Sequence, residues 1–155
     1  MPNRTQVDNL NFAAMSDNAL RIINNTTVAG AAIDTQGYDA VTVIADIGAW
    51  GDTVSGGLLE IGLQHSDDTV SGNFVDVPNA ELTDTVAGAS TVTGAITTGV
   101  FASVSSTSND QKVAKTGYIG TKRYLKVKFN GEKNLATGTP VSVVAIEGKA
   151  SRAPV

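Results

Sequence analysis

The segment Gly117 to Phe129 reads Gly-Tyr-Ile-Gly-Thr-Lys-Arg-Tyr-Leu-Lys-Val-Lys-Phe, and its alternation constrains the fold more firmly than any other stretch of the chain. With a period of two, Arg123, Leu125, Val127 and Phe129 share one face, and Lys122, Tyr124, Lys126 and Lys128 share the other. A strand written this way has a dry side and a cationic side. Tyr38 to Ile47 alternates too, with Val41, Val43, Ala45 and Ile47 opposite Thr42 and Asp46. Ile44 interrupts its polar face, which predicts a strand covered on both sides. Leu58 to His65 turns Leu59, Ile61 and Leu63 inward and Glu60 and Gln64 outward. The inward sets predict a shared core of Leu59, Ile61, Leu63, Leu125, Val127 and Phe129.

Around these strands the chain divides by texture. Residues 1–18 are polar with scattered Leu10, Phe12 and Met15 and are expected to form an N-terminal arm, extended or briefly helical. From Ala19 the pattern becomes strand-like, through Leu20, Ile22, Val28 and Ile33 to a turn at Asp34-Thr35-Gln36-Gly37. A glycine-rich loop, residues 48–57, carries the single tryptophan, Trp50. Ser66 to Asn73 is a polar turn, and the short strand Phe74 to Val77 is ended by Pro78. Residues 83–110 are almost all Thr, Ser, Ala, Gly and Val, with charge only at Asp84 and Asp110; a tract this long is expected as a hairpin or protruding loop. Val141 to Ile146 is the last strand, and residues 151–155 form a tail. Seven or eight short strands with turn signals between them predict one all-β domain over residues 19–150, an antiparallel β-sandwich or jelly-roll-like fold.

Composition narrows the classes of function. A chain of 155 residues buries enough surface to fold without staples, and with no cysteine it has no disulfide, thiol nucleophile or zinc–thiolate site within one subunit. No apolar run approaches the ~20 residues of a membrane span, and Met1 to Leu10 lacks the apolar centre of a signal peptide. Charge is unevenly placed: residues 1–110 hold 13 acidic and 2 basic side chains, a formal −11, while residues 111–155 hold 9 basic and 2 acidic ones, a formal +7. The two parts are complementary and pair either within one subunit or between neighbours.

Chemistry-bearing residues are sparse. His65, the only histidine, is followed by Ser66, Asp67 and Asp68, but neighbours along a strand end point in alternate directions and cannot form a relay by adjacency. A strand-end histidine beside a polar turn is the expected reading. Asp67, Asp68 and Asp76 do not match an EF-hand loop and are assigned to turn chemistry; no metal site or cofactor is expected. The clustered glycines lack the pattern and following helix of a phosphate cradle. Trp50 reads as a core residue, an interface anchor or, with less support, a sugar platform. The basic face reads as a lysine-protected edge strand, a surface for an acidic neighbour or, least favoured with only Tyr118 and Tyr124 for stacking, a nucleic-acid grip. The candidate interface residues are Trp50, Lys122, Arg123, Tyr124, Lys126, Lys128 and Arg152, and no acid–base or nucleophilic constellation suggests an enzyme.

Four pieces in order carry a family likeness: Ala32 to Val43; Leu63 to Asp68 with Phe74 to Pro78; Gly117 to Val127; and the end Ser151-Arg152-Ala153-Pro154-Val155. Their order and spacing resemble the small structural proteins encoded among the head genes of tailed bacteriophages. The resemblance implies a β-rich decoration or cementing subunit on the outer capsid surface. It would be made in the host cytoplasm, bound to the major capsid protein, often as a homotrimer, with no catalytic residues. A tail- or fibre-associated sandwich that binds a glycan or cell surface is the alternative.

Overall fold

Alternation becomes strands throughout, and the strands are β1 (Leu10–Ala14), β2 (Arg21–Ile22), β3 (Thr27–Asp34), β4 (Tyr38–Ile47), β5 (Leu58–Ser66), β6 (Val75–Asp76), β7 (Val100–Val104), β8 (Lys112–Tyr118), β9 (Tyr124–Glu132) and β10 (Thr139–Ala150). The computed structural model describes residues 10–16, 21–22, 27–52, 57–86, 96, 98–132 and 137–150. Two antiparallel sheets face each other. The first has the order β1-β10-β4-β8, with β2 beside the start of β10; the second has the order β3-β9-β5, with β6 and β7 along the far edge of β5. The chain is therefore an all-β sandwich, as its turn spacing predicts.

The core follows the predicted faces. Ile61 lies opposite Phe129 and Leu63 opposite Val127, and Leu59, Ile61, Leu63, Leu125, Val127 and Phe129 are each fully buried. Val43, Ala45 and Ile47 of β4 and Val141, Val143 and Ala145 of β10 close the cluster from the first sheet. Each large aliphatic or aromatic side chain buried this way contributes about 1.5–3 kcal/mol of transfer free energy.

Other expectations are corrected. Gly117 to Phe129 is not one strand, because β8 ends at Tyr118 in the first sheet and β9 begins at Tyr124 in the second; residues 119–123 cross between them. Nor is the basic strand an edge: β9 lies between β3 and β5, and its cationic face is covered, with Lys126 7% and Lys128 9% exposed. Of the segment expected as an arm, the described residues 10–16 belong to the sandwich: β1 pairs with β10, and the Met15 side chain is fully buried. Trp50 does not stand in an open loop but packs in the core, its backbone N–H bonded to Asp110 Oδ2 at 2.6 Å.

The cover over β9 comes from the long connection between β5 and β7. Phe74 lies under the Lys126 ammonium, 4.0 Å from nitrogen to ring centre. Ile96 sits against Gly62, whose register partner is Val100. Phe74, Ile96 and Val100 are buried apart from the main core. Gly62 is needed for this close approach: a Cβ there would come within 2.8 Å of the Ile96 side chain and 3.1 Å of the Gly99 carbonyl oxygen. Of the described part of the small-residue tract, residues 83–84 bond to Gly117 and Thr116 at the edge of β8, Ile96 serves as a lid residue, and Val100–Val104 forms strand β7 on β5. On the first sheet Ile44 is only half-buried, and no described segment lies over its face.

Candidate interaction surface at one end of the sandwich

The charges divided along the sequence meet at one end of the molecule, where the β3–β4 turn, the end of β5 and the β8–β9 crossover converge. Asp34 closes the β3–β4 turn by accepting the Gln36 N–H at 3.0 Å. The same carboxylate receives Arg123 Nε at 2.9 Å and Nη2 at 2.6 Å, a two-point contact that fixes the crossover to the turn. The Arg123 guanidinium holds the Asp34 carboxyl below its ordinary range, and Thr35 donates its N–H and hydroxyl to the Arg123 carbonyl at 2.9 and 2.8 Å. Beyond the end of β5, Asp67 pairs with Lys122. Deeper along the outer face, Asp76 pairs with Lys128 at 3.3 Å. These pairs join acidic residues of the first part of the chain to basic residues of the second, so here the complementarity is used within one subunit.

Beneath the exposed Asp34–Arg123 and Asp67–Lys122 pairs lies a polar cluster that adjacency in sequence does not reveal. His65 is on the inner face of β5, 4% exposed, with Nδ1 3.0 Å from the Tyr118 hydroxyl and 3.3 Å from Glu81 Oε2. The Lys122 backbone N–H donates to the same hydroxyl at 3.1 Å, and Ile119 N–H donates to the Glu81 carbonyl at 2.9 Å. Burial lowers the His65 pKa, with the Glu81 carboxylate acting against it, and burial pushes Tyr118 up to about 12. Gly120 makes the cluster possible, because a Cβ there would collide with Glu81 Oε2 and stand 2.5 Å from the Tyr118 hydroxyl. His65 and Tyr118, both buried, tie β5, the Asn79–Glu81 turn and the crossover together. The neighbours of His65 in sequence serve the turn: Asp68 accepts the Val70 N–H at 2.8 Å and the Asn73 amide at 2.8 Å, and Ser66 Oγ accepts the Asp68 N–H at 3.2 Å.

The surface over this cluster is a depression of about 170 Å³ lined by Thr35, Tyr38, Asp39, Ala40, Val41, Tyr118, Ile119 and Gly120. Ile119 stands at its rim, 65% exposed. Lys122 and Arg123 flank this end with their side chains partly open to solvent, and Arg123 stacks over Tyr124 at 5.0 Å. Of the expected interface residues, Lys122, Arg123 and Tyr124 come together here. Lys126 and Lys128 lie under the lid, Trp50 is in the core, and Arg152 is outside the described residues. No local pattern in the sequence links Glu81, Tyr118 and Ile119 to His65; the available signal is an apolar Tyr118-Ile119 pair held between Gly117 and Gly120.

A scan against protein families found no match, and neither did a search of curated proteins. Among solved structures, the chain is similar to the SPBc2 prophage-derived protein YomS, at 16% identity over 90% of this chain and 93% of that one, with a TM-score of 0.44.

Proposed function

We propose that this chain is a virion structural protein that binds and stabilises the capsid lattice of a tailed bacteriophage, using the end built from the β3–β4 turn and the β8–β9 crossover. The observation that carries the reading is convergence. Three sequence pieces that resemble phage head proteins, widely separated along the chain, supply the walls and the internal ties of that end: Asp34 to Val41, His65 to Asp68, and Gly117 to Arg123. Selection for a stable sandwich alone does not require them to meet at one exposed surface. The role is non-catalytic: the His65–Tyr118–Glu81 cluster serves to hold loops in place, and an exposed apolar residue at the same end as two exposed ion pairs suits docking to a protein. The partner is the major capsid protein, met repeatedly on the lattice, so that modest single contacts sum to firm attachment.

Purified particles provide the test. The expected result is a copy number matching the lattice, reduced occupancy for Ile119→Asp with the fold unchanged, and lower heat resistance in particles lacking the chain. A few copies per particle, located at the tail, would overturn this reading in favour of a tail or fibre module that binds a glycan or cell surface.

A further inference from the structure

We propose that the outer face of the β1-β10-β4-β8 sheet is a self-complementary interface that pairs two copies of this chain about a two-fold axis. It is independent of the lattice reading and uses a different surface. Strand register places the outward residues on a grid: Phe12 opposite Ile146 and Ala14 opposite Val144; Val144 opposite Ile44; Ile44 opposite Lys115 and Asp46 opposite Val113. An apolar diagonal therefore crosses the sheet from Phe12 through Val144 and Ile44 to Val113. Its two ends are the most open, with Phe12 59% and Val113 68% exposed.

The charges decide the occupant. Asp46 and Lys115 are exposed and form no ion pair among the described residues. They stand on opposite sides of the diagonal. With strands ~4.8 Å apart and a rise of ~6.8 Å per two residues, each lies about 4 Å from it. A two-fold axis along the diagonal lays the apolar row on its own copy and brings Asp46 of each chain to Lys115 of the other, twice, as an isologous interface requires. The strands of the two copies then cross at roughly 70°, close to the orthogonal class of sheet packing. Four strands by four rows cover about 20 Å by about 20 Å. Such a contact buries on the order of 1,000 Å² in total, near the lower bound for a specific interface.

Reciprocal charge pairing yields a test that separates this face from any other. The full chain should sediment as a dimer at low salt. Lys115→Glu and Asp46→Lys should each raise the dissociation constant roughly tenfold or more, because each homodimer then places like charges together twice. Mixing the two variants should restore dimerisation, since both contacts in the mixed pair are attractive, and the doubly exchanged chain should dimerise alone. Phe12→Asp should give a monomer whose unfolding midpoint matches that of the wild type in dilute solution, where the wild-type chains are separate too. A monomeric or trimeric wild-type chain, or variants whose mixture remains monomeric, would overturn the proposal.

Discussion

On the outside of the β3-β9-β5 sheet two lysines are almost fully buried, whereas on the outside of the β1-β10-β4-β8 sheet a phenylalanine and a valine stand in solvent. The difference comes from the route of the connections. The long connection from β5 to β7 lays Phe74 and Ile96 over the outer face of the second sheet, while its residues 82–84 run only along the β8 edge of the first. The Lys126 and Lys128 stems become packing material, with one ammonium over an aromatic ring and the other beside a carboxylate. No described segment performs this service for the first sheet, where Ile44, Val144 and Ile146 remain half-open. What covers a sheet face is thus settled by where a long connection travels, and a strand's own residues must then be accommodated or left exposed.

The inner faces set the scale against which both outer faces are measured. Phe129→Ala removes a fully buried ring at the centre of β9 and should cost about 3–5 kcal/mol, measured as a shift in denaturant midpoint at constant slope. A loss below ~0.5 kcal/mol would show that the two faces of β9 are reversed.

On the opposite side of the same strand, Lys126→Ala should cost about 1–2 kcal/mol through lost stem packing and the lost cation–ring contact. A solvated lysine would cost almost nothing, so this variant asks directly whether the lid is present. Lys126 has no carboxylate partner among the described residues, and burial together with Lys128 lowers its pKa. Lys126→Met should therefore retain most of the stability that alanine loses. If methionine is as damaging as alanine, the charge rather than the stem supports the lid.

What the sequence disclosed, and what it withheld, divides along the same line. Alternation in Leu59, Ile61 and Leu63 and in Leu125, Val127 and Phe129 is a local consequence of the pleat, so the core could be read directly. The fate of the Lys126 face could not, because it depends on Phe74 and Ile96, which lie far away along the chain. The polar cluster is a similar case: Glu81 and Tyr118 reach His65 only after both sheets have formed. Even Ile44, which breaks a polar face and predicts cover on both sides, is only half-buried with no described segment over it, because a strand's own pattern does not specify what lies above it. Glu147 was within reach, since it continues the inward series Val141, Val143 and Ala145, but the strand was expected to end at Ile146.

A smaller effect concerns how β1, which presents Phe12, is held from within. Glu147 is 1% exposed and accepts a bond from the Asn11 amide, while its Oε1 has no hydrogen-bond partner among the described residues. Burial raises its carboxyl pKa above the ordinary 4.5. The unfolded chain then releases its proton first as pH rises, so the stability Glu147 contributes is complete below 4.5 and is lost as pH climbs through the folded value. Glu147→Gln should remove that decline, flattening the unfolding midpoint from pH 4.5 upward relative to wild type. Parallel pH profiles for the two proteins would show that the carboxyl is not desolvated and that β1 is not held by it.

The smallest expected change in stability lies on the uncovered face. Val113→Thr exchanges one methyl for a hydroxyl at a position 68% exposed. In dilute solution, where chains are separate, its stability should stay within about 0.5 kcal/mol of wild type. The same exchange beneath a lid would bury a hydroxyl, at roughly 1–3 kcal/mol if it found no partner. Val113→Thr is therefore the counterpart of Lys126→Ala: an apolar residue that should not matter to folding against a charged one that should. A stability loss above ~1 kcal/mol that persists on dilution would mean that this face is covered by the chain's own residues, and the contrast between the two sheets would disappear.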